Sequence, residues 1–85
     1  MPEISRFFGV VIKMFFDDHS PPHFHAEYAE SRAQIDIRTL AILHGDLPAR
    51  ALGLVVEWAR AHQQELFDDW ELGSKRRPLR KIPPL

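Results

Sequence analysis

The order of hydrophobic and polar positions predicts strands in the first half of the chain and a helix in the second. Residues 7–16 are rich in β-branched and aromatic types and carry no helix cap, which predicts one strand buried on both faces, with Gly9 at a bulge or close approach. A turn over 17–22 ends this strand. Apolar and polar residues then alternate over 23–29 and 32–38, which is typical of half-buried strands.

The second and third strands are expected to form a hairpin whose turn is centred on Glu30 and Ser31. A slip of one residue would place isoleucines opposite histidines, so the hydrophobic pattern selects the register. The expected partners are Phe24 with Ile37, Ala26 with Ile35, His25 with Asp36, and Glu27 with Gln34. A short fourth strand is predicted over 41–44, closed by Gly45.

A long amphipathic helix is predicted over 48–72. Asp46 is the expected N-cap, Pro48 lies in the first turn, and Gly73 is a suitable stop. The apolar stripe recurs at steps of three, four and seven residues and consists of Leu52, Val55, Val56, Ala59 and Leu66. The predicted fold class is therefore α+β: a small antiparallel sheet of three to four strands, covered on one face by one long C-terminal helix.

The charge distribution divides the chain into an acidic body and a basic arm. Residues 1–74 hold six Arg or Lys against twelve Asp or Glu, a net charge of −6, whereas residues 75–85 carry five cations and no acid. We interpret 1–74 as a single α+β domain and 75–85 as an irregular, proline-containing arm. The arm is expected either to lie against acidic surface of this subunit or a neighbour, or to contact nucleic acid, which is the less favoured alternative. Its candidate partner-binding residues are Lys75, Arg76, Arg77, Arg80 and Lys81.

Length and composition exclude several classes of protein. The chain has 85 residues, enough for one small domain with a thin stability margin, and it contains no cysteine, which excludes disulfides and thiolate metal sites. The start does not resemble a signal peptide, and no stretch approaches the roughly 18 apolar residues that span a bilayer. A cytoplasmic location without membrane contact is the expectation.

The segment from Asp17 to Tyr28 is the main candidate for chemistry. In an extended segment His23, His25 and Glu27 share one face, and His19 precedes them across two prolines. Imidazole nitrogens bind divalent transition metals, so His19, His23 and His25 are candidate ligands, most readily for zinc. Glu27 or Asp36 could activate water as the catalytic carboxylate. Metal-free acid–base chemistry and a purely structural turn, in which Asp18 caps backbone amides, remain open alternatives.

Several short segments together resemble a known bacterial family. They are the N-terminal residues 1–4, Asp18-His19-Ser20-Pro21-Pro22-His23-Phe24-His25, Gly45-Asp46-Leu47-Pro48, and Glu57-Trp58-Ala59. The chain is similar over nearly its whole length to the domain-of-unknown-function family numbered 4160. The resemblance implies a short stand-alone protein without an assigned activity, encoded beside a second small protein as in toxin–antitoxin pairs. Many members have a glycine in the hairpin where this chain has Ala29.

Three functions stay open at this point. The first is a binding or regulatory module that acts with a partner protein through the arm, as in a toxin–antitoxin-like pair. The second is a metal-dependent hydrolase or nuclease-like effector that uses the histidines. The third is a homodimer in which the histidine turn only holds the sheet together. A thin core with two tryptophans makes self-association reasonable.

Overall fold

The α+β class is confirmed by the computed structural model, which describes residues 3–85. Met1 and Pro2, which belong to the predicted domain 1–74 and to the N-terminal part of the resemblance, lie outside the described residues. Within these bounds the expected three to four strands are five, and the expected single helix is two. The elements are β1 (Glu3–Phe7), β2 (Val10–Lys13), β3 (His23–Tyr28), β4 (Ser31–Asp36), β5 (Ile42–Gly45), α1 (Ala49–Ala61) and α2 (Gln63–Ser74). The strands form one antiparallel sheet in the order β1-β2-β3-β4-β5.

The predicted strand over 7–16 is wrong, because a tight turn divides this segment into the β1–β2 hairpin. Phe8 and Gly9 form the turn with φ values of +46° and +82°. Two consecutive positive φ angles match the twist of antiparallel strands, and glycine adopts them without a steric penalty. Phe8 is 69% exposed at the tip of the hairpin. Gly9 therefore lies in a turn and not at a bulge. The predicted alternative of a close approach holds, because a Cβ atom at Gly9 would lie 3.3 Å from Cε1 of Tyr28.

The β3–β4 hairpin has the predicted faces but a register that differs by two residues. Phe24 pairs with Ile35 and His25 with Gln34, and the turn consists of Ala29 and Glu30. Because side chains alternate with a period of two, a shift of two residues keeps every side chain on its predicted face. The shift moves Asp36 from opposite His25 to opposite His23.

The predicted helix over 48–72 is interrupted at His62, whose backbone is not helical (φ −127°, ψ 26°). Asp46 is not the N-cap: its carboxylate accepts the Leu47 N–H, and Pro48 occupies the cap position without a side-chain hydrogen bond. The Gln63 side chain donates to the Ile37 and Arg38 carbonyls of the loop after β4. These contacts tie the start of α2 to the loop after β4, next to the break in the helix at His62.

The core lies between the apolar face of the sheet and α1. Trp58 is fully buried, with its ring centroid 5.4 Å from that of Phe7 and 6.0 Å from that of Phe24. Gly45 ends β5 with φ +79°, and a Cβ atom at this position would lie 2.1 Å from the Arg32 carbonyl oxygen, so only glycine permits this close approach. The opposite face of the sheet carries His23, His25 and Glu27.

The arm over 75–85 has no helix or strand and packs against its own body. Ile82 is 3% exposed, and its N–H donates to the Ile4 carbonyl on β1. The indole Nε1–H of Trp58 donates to the Pro83 carbonyl at 2.8 Å. Removing the arm would therefore expose core residues and leave the Trp58 indole without its acceptor.

Neither helix in the described part of the chain has the length and apolar character needed to cross a membrane.

Candidate metal centre

The turn before β3 and the strand itself bring one carboxylate and two imidazoles together. Asp18, His23 and His25 each offer one ligand atom, and these atoms lie within 4.8 Å of one another. Strand alternation places both histidines on the same face, and the turn folds Asp18 back over them. Oδ2 of Asp18 lies 3.1 Å from Nε2 of His23 and 3.2 Å from Nε2 of His25. The three side chains thus converge on one small volume.

His23 is the most constrained member of this group. The residue is 5% exposed, and its Nδ1 lies 2.8 Å from the Pro21 carbonyl oxygen. A carbonyl can only accept a hydrogen bond, so Nδ1 carries a proton, and in the neutral ring Nε2 then holds a lone pair. Within the described residues Nε2 is buried without a hydrogen-bond partner, because its contact with Asp18 is close but poorly aligned. The Trp70 ring packs over this imidazole at a centroid distance of 5.3 Å.

His25 completes the pair from the next same-face position of β3. Its Nε2 hydrogen-bonds Oδ2 of Asp18, and the Phe15 ring lies nearly perpendicular to the imidazole at a centroid distance of 4.6 Å. In the sheet it lies between Lys13 of β2 and Gln34 of β4. Packing from Phe15 and the flanking strands therefore limits the orientations that this ring can take.

Asp18 is held in place by its other oxygen. Oδ1 accepts the backbone N–H of His19 at 2.9 Å, which leaves Oδ2 directed at the imidazoles. Partial burial alone would raise the pKa of Asp18, but the hydrogen bonds from His25 and the His19 amide, with the charges of both imidazoles, outweigh it and lower the pKa below its usual value. The carboxylate is therefore ionised at neutral pH and available as an oxygen ligand.

Two imidazole nitrogens and one carboxylate oxygen form a donor set suited to zinc and other divalent transition metals. The hydrogen bond from Nδ1 of His23 to the Pro21 carbonyl is the kind of outer contact that orients metal-binding histidines. Three protein ligands are also the usual number in catalytic zinc sites, which keep a further position open. One cation can occupy the space between Oδ2 of Asp18 and the two imidazole Nε2 atoms, where it would replace hydrogen-bonding protons.

Two of the sequence-predicted metal ligands belong to this group, and the third does not. His19 is exposed and contributes only its backbone N–H to Asp18. The oxygen donor is Asp18, which the sequence had indicated only as a turn-capping residue. The sequence offered one indication of this role, because Asp18 directly precedes the histidine motif.

The predicted catalytic carboxylates are not members of the group, although Asp36 lies opposite His23 in the β3–β4 register. Glu27 forms an ion pair with Lys13 at 3.2 Å. Asp36 accepts the N–H groups of Arg38 and Thr39 at 2.7 and 3.0 Å, which fixes the turn after β4. Both carboxylates thus have partners that hold them in structural roles.

A surface depression of about 630 Å³ opens beside the group. Asp18 and His23 form one wall, and the remaining lining includes His19, Ser20, Gln34 and His44. A second depression of about 420 Å³ lies on the other side of Gln34 and is lined by residues that include His25, Arg32 and His44. His44 lines both depressions. The sequence indicates mainly a strand-end residue, with a place in the site as the less favoured alternative.

Three basic residues of the arm contact groups outside the candidate centre. Lys75 pairs with Glu71, Arg76 with Asp17 at 3.2 Å, and the ammonium group of Lys81 donates to the Glu3 carbonyl. The side chains of Arg77 and Arg80 are exposed, as expected of residues that contact a partner.

Comparison with protein families matches residues 9–71 to the domain of unknown function DUF4160. The matched range contains the Asp18, His23 and His25 group and ends within α2. No curated protein and no solved structure matches the chain.

Proposed function

Because the chain belongs to the DUF4160 family, whose function is unknown, we propose from the centre itself that this protein binds one divalent transition metal, zinc being the first candidate. Asp18, His23 and His25 are the proposed ligands. The observation that carries this proposal is Nε2 of His23, a buried nitrogen that has no hydrogen-bond partner among residues 3–85 and lies 3.1 Å from a carboxylate oxygen. A buried polar atom left unsatisfied costs on the order of 1–3 kcal/mol, a cost that a coordinate bond removes.

The activity class that such a centre supports best is metal-dependent hydrolysis. A metal with three protein ligands keeps a position for water or substrate and lowers the pKa of the bound water toward neutrality. Glu27 and Asp36 are not proposed as bases, since Lys13 and two backbone amides already engage them. His19 and His44 line the depression beside the ligands and are the groups able to exchange a proton there.

The test is metal titration of the protein purified without a histidine tag, followed by calorimetry and by tryptophan fluorescence. Trp70 packs against His23, so a quenching metal such as Co²⁺ should reduce its emission on binding, while Trp58 lies in the core. We expect one equivalent of metal with a Kd in the micromolar range or tighter. Asp18→Asn and His25→Ala should each weaken binding at least tenfold, and Trp70→Phe should abolish most of the quenching.

His62→Gln is the matched control for that titration. His62 also packs on a tryptophan, with its ring 5.6 Å from Trp58, and also pairs with a carboxylate, Glu65, but it lies outside the centre. Its substitution should leave the metal Kd unchanged. Absence of binding at a micromolar excess of Zn²⁺ and Co²⁺, or equal losses in His62→Gln and His25→Ala, would contradict the proposal. Native mass spectrometry gives the metal stoichiometry independently.

A second candidate function is a regulatory module that binds a partner protein, as in a toxin–antitoxin-like pair, or a second copy of itself, in the cytoplasm. The favouring observation is Phe8, a large aromatic residue that is 69% exposed at a hairpin tip, together with the exposed cations Arg77 and Arg80. Nucleic acid is the less favoured ligand of these cations. Deleting residues 75–85 cannot test this idea cleanly, because Ile82 belongs to the core.

Point substitutions of exposed residues test the partner hypothesis without loss of the fold. We expect native mass spectrometry of the wild type to show a complex or a dimer that Phe8→Ser or Arg77→Glu with Arg80→Glu weakens. Circular dichroism of these variants should match that of the wild type. A strictly monomeric protein that co-purifies with no partner, or a complex indifferent to both changes, would contradict this second function.

A further inference from the structure

The depression beside the proposed metal centre has a lining that indicates the chemistry of its ligand. It is bounded by Asp18 and His23 on the side of the centre, and by Gln34 and His44 on the opposite side. Gln34 of β4 pairs with His25 on one side and with His44 of β5 on the other. Neighbouring strands are about 4.8 Å apart, so the backbones of His25 and His44 lie about 10 Å apart with Gln34 between them.

Four side chains of this lining can donate hydrogen bonds, whereas Pro21 and Leu43 are apolar. His19 and His44 offer imidazole N–H groups, Gln34 an amide, and Ser20 a hydroxyl. Asp18 is the one carboxylate that lines the depression among the described residues, and it is a proposed metal ligand. A set of donors beside an open metal position favours an anion that accepts hydrogen bonds with several oxygens.

Two of the neighbouring acids are paired with cations, which offsets their charge toward an anion. Glu27 is paired with Lys13, and Asp17 with Arg76 of the arm. The carboxylate of Asp36 accepts two backbone N–H groups. With a divalent ion bound, the single charge of Asp18 leaves the centre with a net charge of +1, which attracts an anion to the open position.

On the basis of the metal centre proposed above, we infer that the depression is a subsite for a phosphate-type oxyanion, as inorganic phosphate or a phosphate monoester. One phosphate oxygen occupies the open position of the metal. The others accept hydrogen bonds from His44, Gln34 and His19. His44 is a specificity-determining residue of this subsite and not a metal ligand.

The inference is tested with protein loaded with one equivalent of Co²⁺, freed of excess metal by desalting, and titrated with inorganic phosphate. Calorimetry and the visible spectrum of the bound Co²⁺ report binding. We expect a submillimolar Kd that rises at least tenfold in His44→Gln, and at least tenfold in the metal-free protein. The Kd for Co²⁺ itself should be the same in His44→Gln and in the wild type. His62→Gln is the control and should match the wild type in both titrations.

The outcomes separate the subsite from the centre. Protein that binds no Co²⁺ overturns the proposed function and the subsite with it. Protein that binds Co²⁺ normally but shows no phosphate binding at 10 mM overturns the subsite alone. That phosphate concentration is about a hundred times a Kd of 0.1 mM, so a site of that affinity would be occupied. Phosphate binding that is unchanged by His44→Gln and His19→Gln, or that acetate matches at equal concentration, also overturns it.

Discussion

Replacing Ala29 by glycine should stabilise the hairpin that carries the candidate centre. Ala29 has φ +52° in the two-residue turn between β3 and β4. An L-residue in this left-handed conformation costs about 1–2 kcal/mol, which glycine avoids. The greater freedom of glycine in the unfolded chain returns about 0.4–1 kcal/mol of that gain. The net effect of Ala29→Gly is a free energy of unfolding higher by about 0.8 kcal/mol at the middle of these ranges, and by about 0–1.6 kcal/mol at their limits.

For a domain of this size the gain corresponds to a rise in Tm of about 3–6 °C. Thermal melts followed by circular dichroism, together with urea unfolding, measure it. Ala61→Gly is the control, because Ala61 is exposed at the end of α1 and its φ is not positive. There glycine should destabilise by up to about 1 kcal/mol. An Ala29→Gly protein that melts at or below the wild-type temperature would refute the assignment of strain to this turn.

Two further substitutions test how the arm is held. Asp69 is 1% exposed and accepts the Arg80 N–H with one oxygen, and burial raises its pKa. Because the pKa is raised on folding, its stabilising contribution is present at low pH and lost as pH rises through the folded pKa. In urea unfolding, the stability of Asp69→Asn relative to the wild type should therefore increase as the pH rises above the ordinary Asp pKa of 3.8, and a difference that shrinks with pH would contradict this. Ile82→Ala should lower the free energy of unfolding by about 2–4 kcal/mol in the same assay. The control Leu85→Ala, at an exposed position, should lower it by less than about 0.5 kcal/mol. Similar losses of stability in the two variants would mean that the arm is not docked.

The faces of the sheet could be predicted from sequence, but its turns could not. Alternation assigns Phe24 and His25 to opposite faces whatever the pairing, since side chains repeat every two residues. The register depends on the turn, and Ala29 gives no local indication of the left-handed conformation that it adopts. Phe8 likewise gives no local indication of its turn. A bulky aromatic residue with φ +46° is rare, and this residue type favours a continuous strand.

The interruption of the helix at His62 and the docking of the arm depend on contacts between distant residues. The apolar stripe continues from Ala59 to Leu66 across the interruption, with no proline or glycine between them. The break lies next to Gln63, whose side chain bonds the loop after β4, 25 and 26 residues away in sequence. Likewise, only the tertiary structure brings the Trp58 indole to the Pro83 carbonyl.

For the candidate centre, spacing identified the strand histidines but not the third group. His23 and His25 share a face by periodicity alone, whereas the choice between Asp18 and His19 depends on the path of the turn before β3. The turn directs Asp18 inward and leaves His19 exposed. Asp18 was assigned to a capping role, and Oδ1 does accept the backbone N–H of His19; the role of Oδ2 was not evident from sequence.

A purely structural turn accounts for part of this geometry but not for all of it. The Nδ1–H of His23 on the Pro21 carbonyl and Oδ1 of Asp18 on the His19 amide are sufficient to fix the turn. Neither bond requires Nε2 of both histidines to face the same oxygen. With Nδ1 of His23 donating, its neutral Nε2 presents a lone pair to the lone pairs of Oδ2 at 3.1 Å, which is repulsive unless a positive charge lies between them. A proton on Nε2 or a metal ion supplies that charge. Without a metal, His25 donates its own Nε2–H to the same Oδ2, so one metal ion would replace two protons and engage both imidazoles and the carboxylate together. For this reason we favour a binding centre over a structural turn.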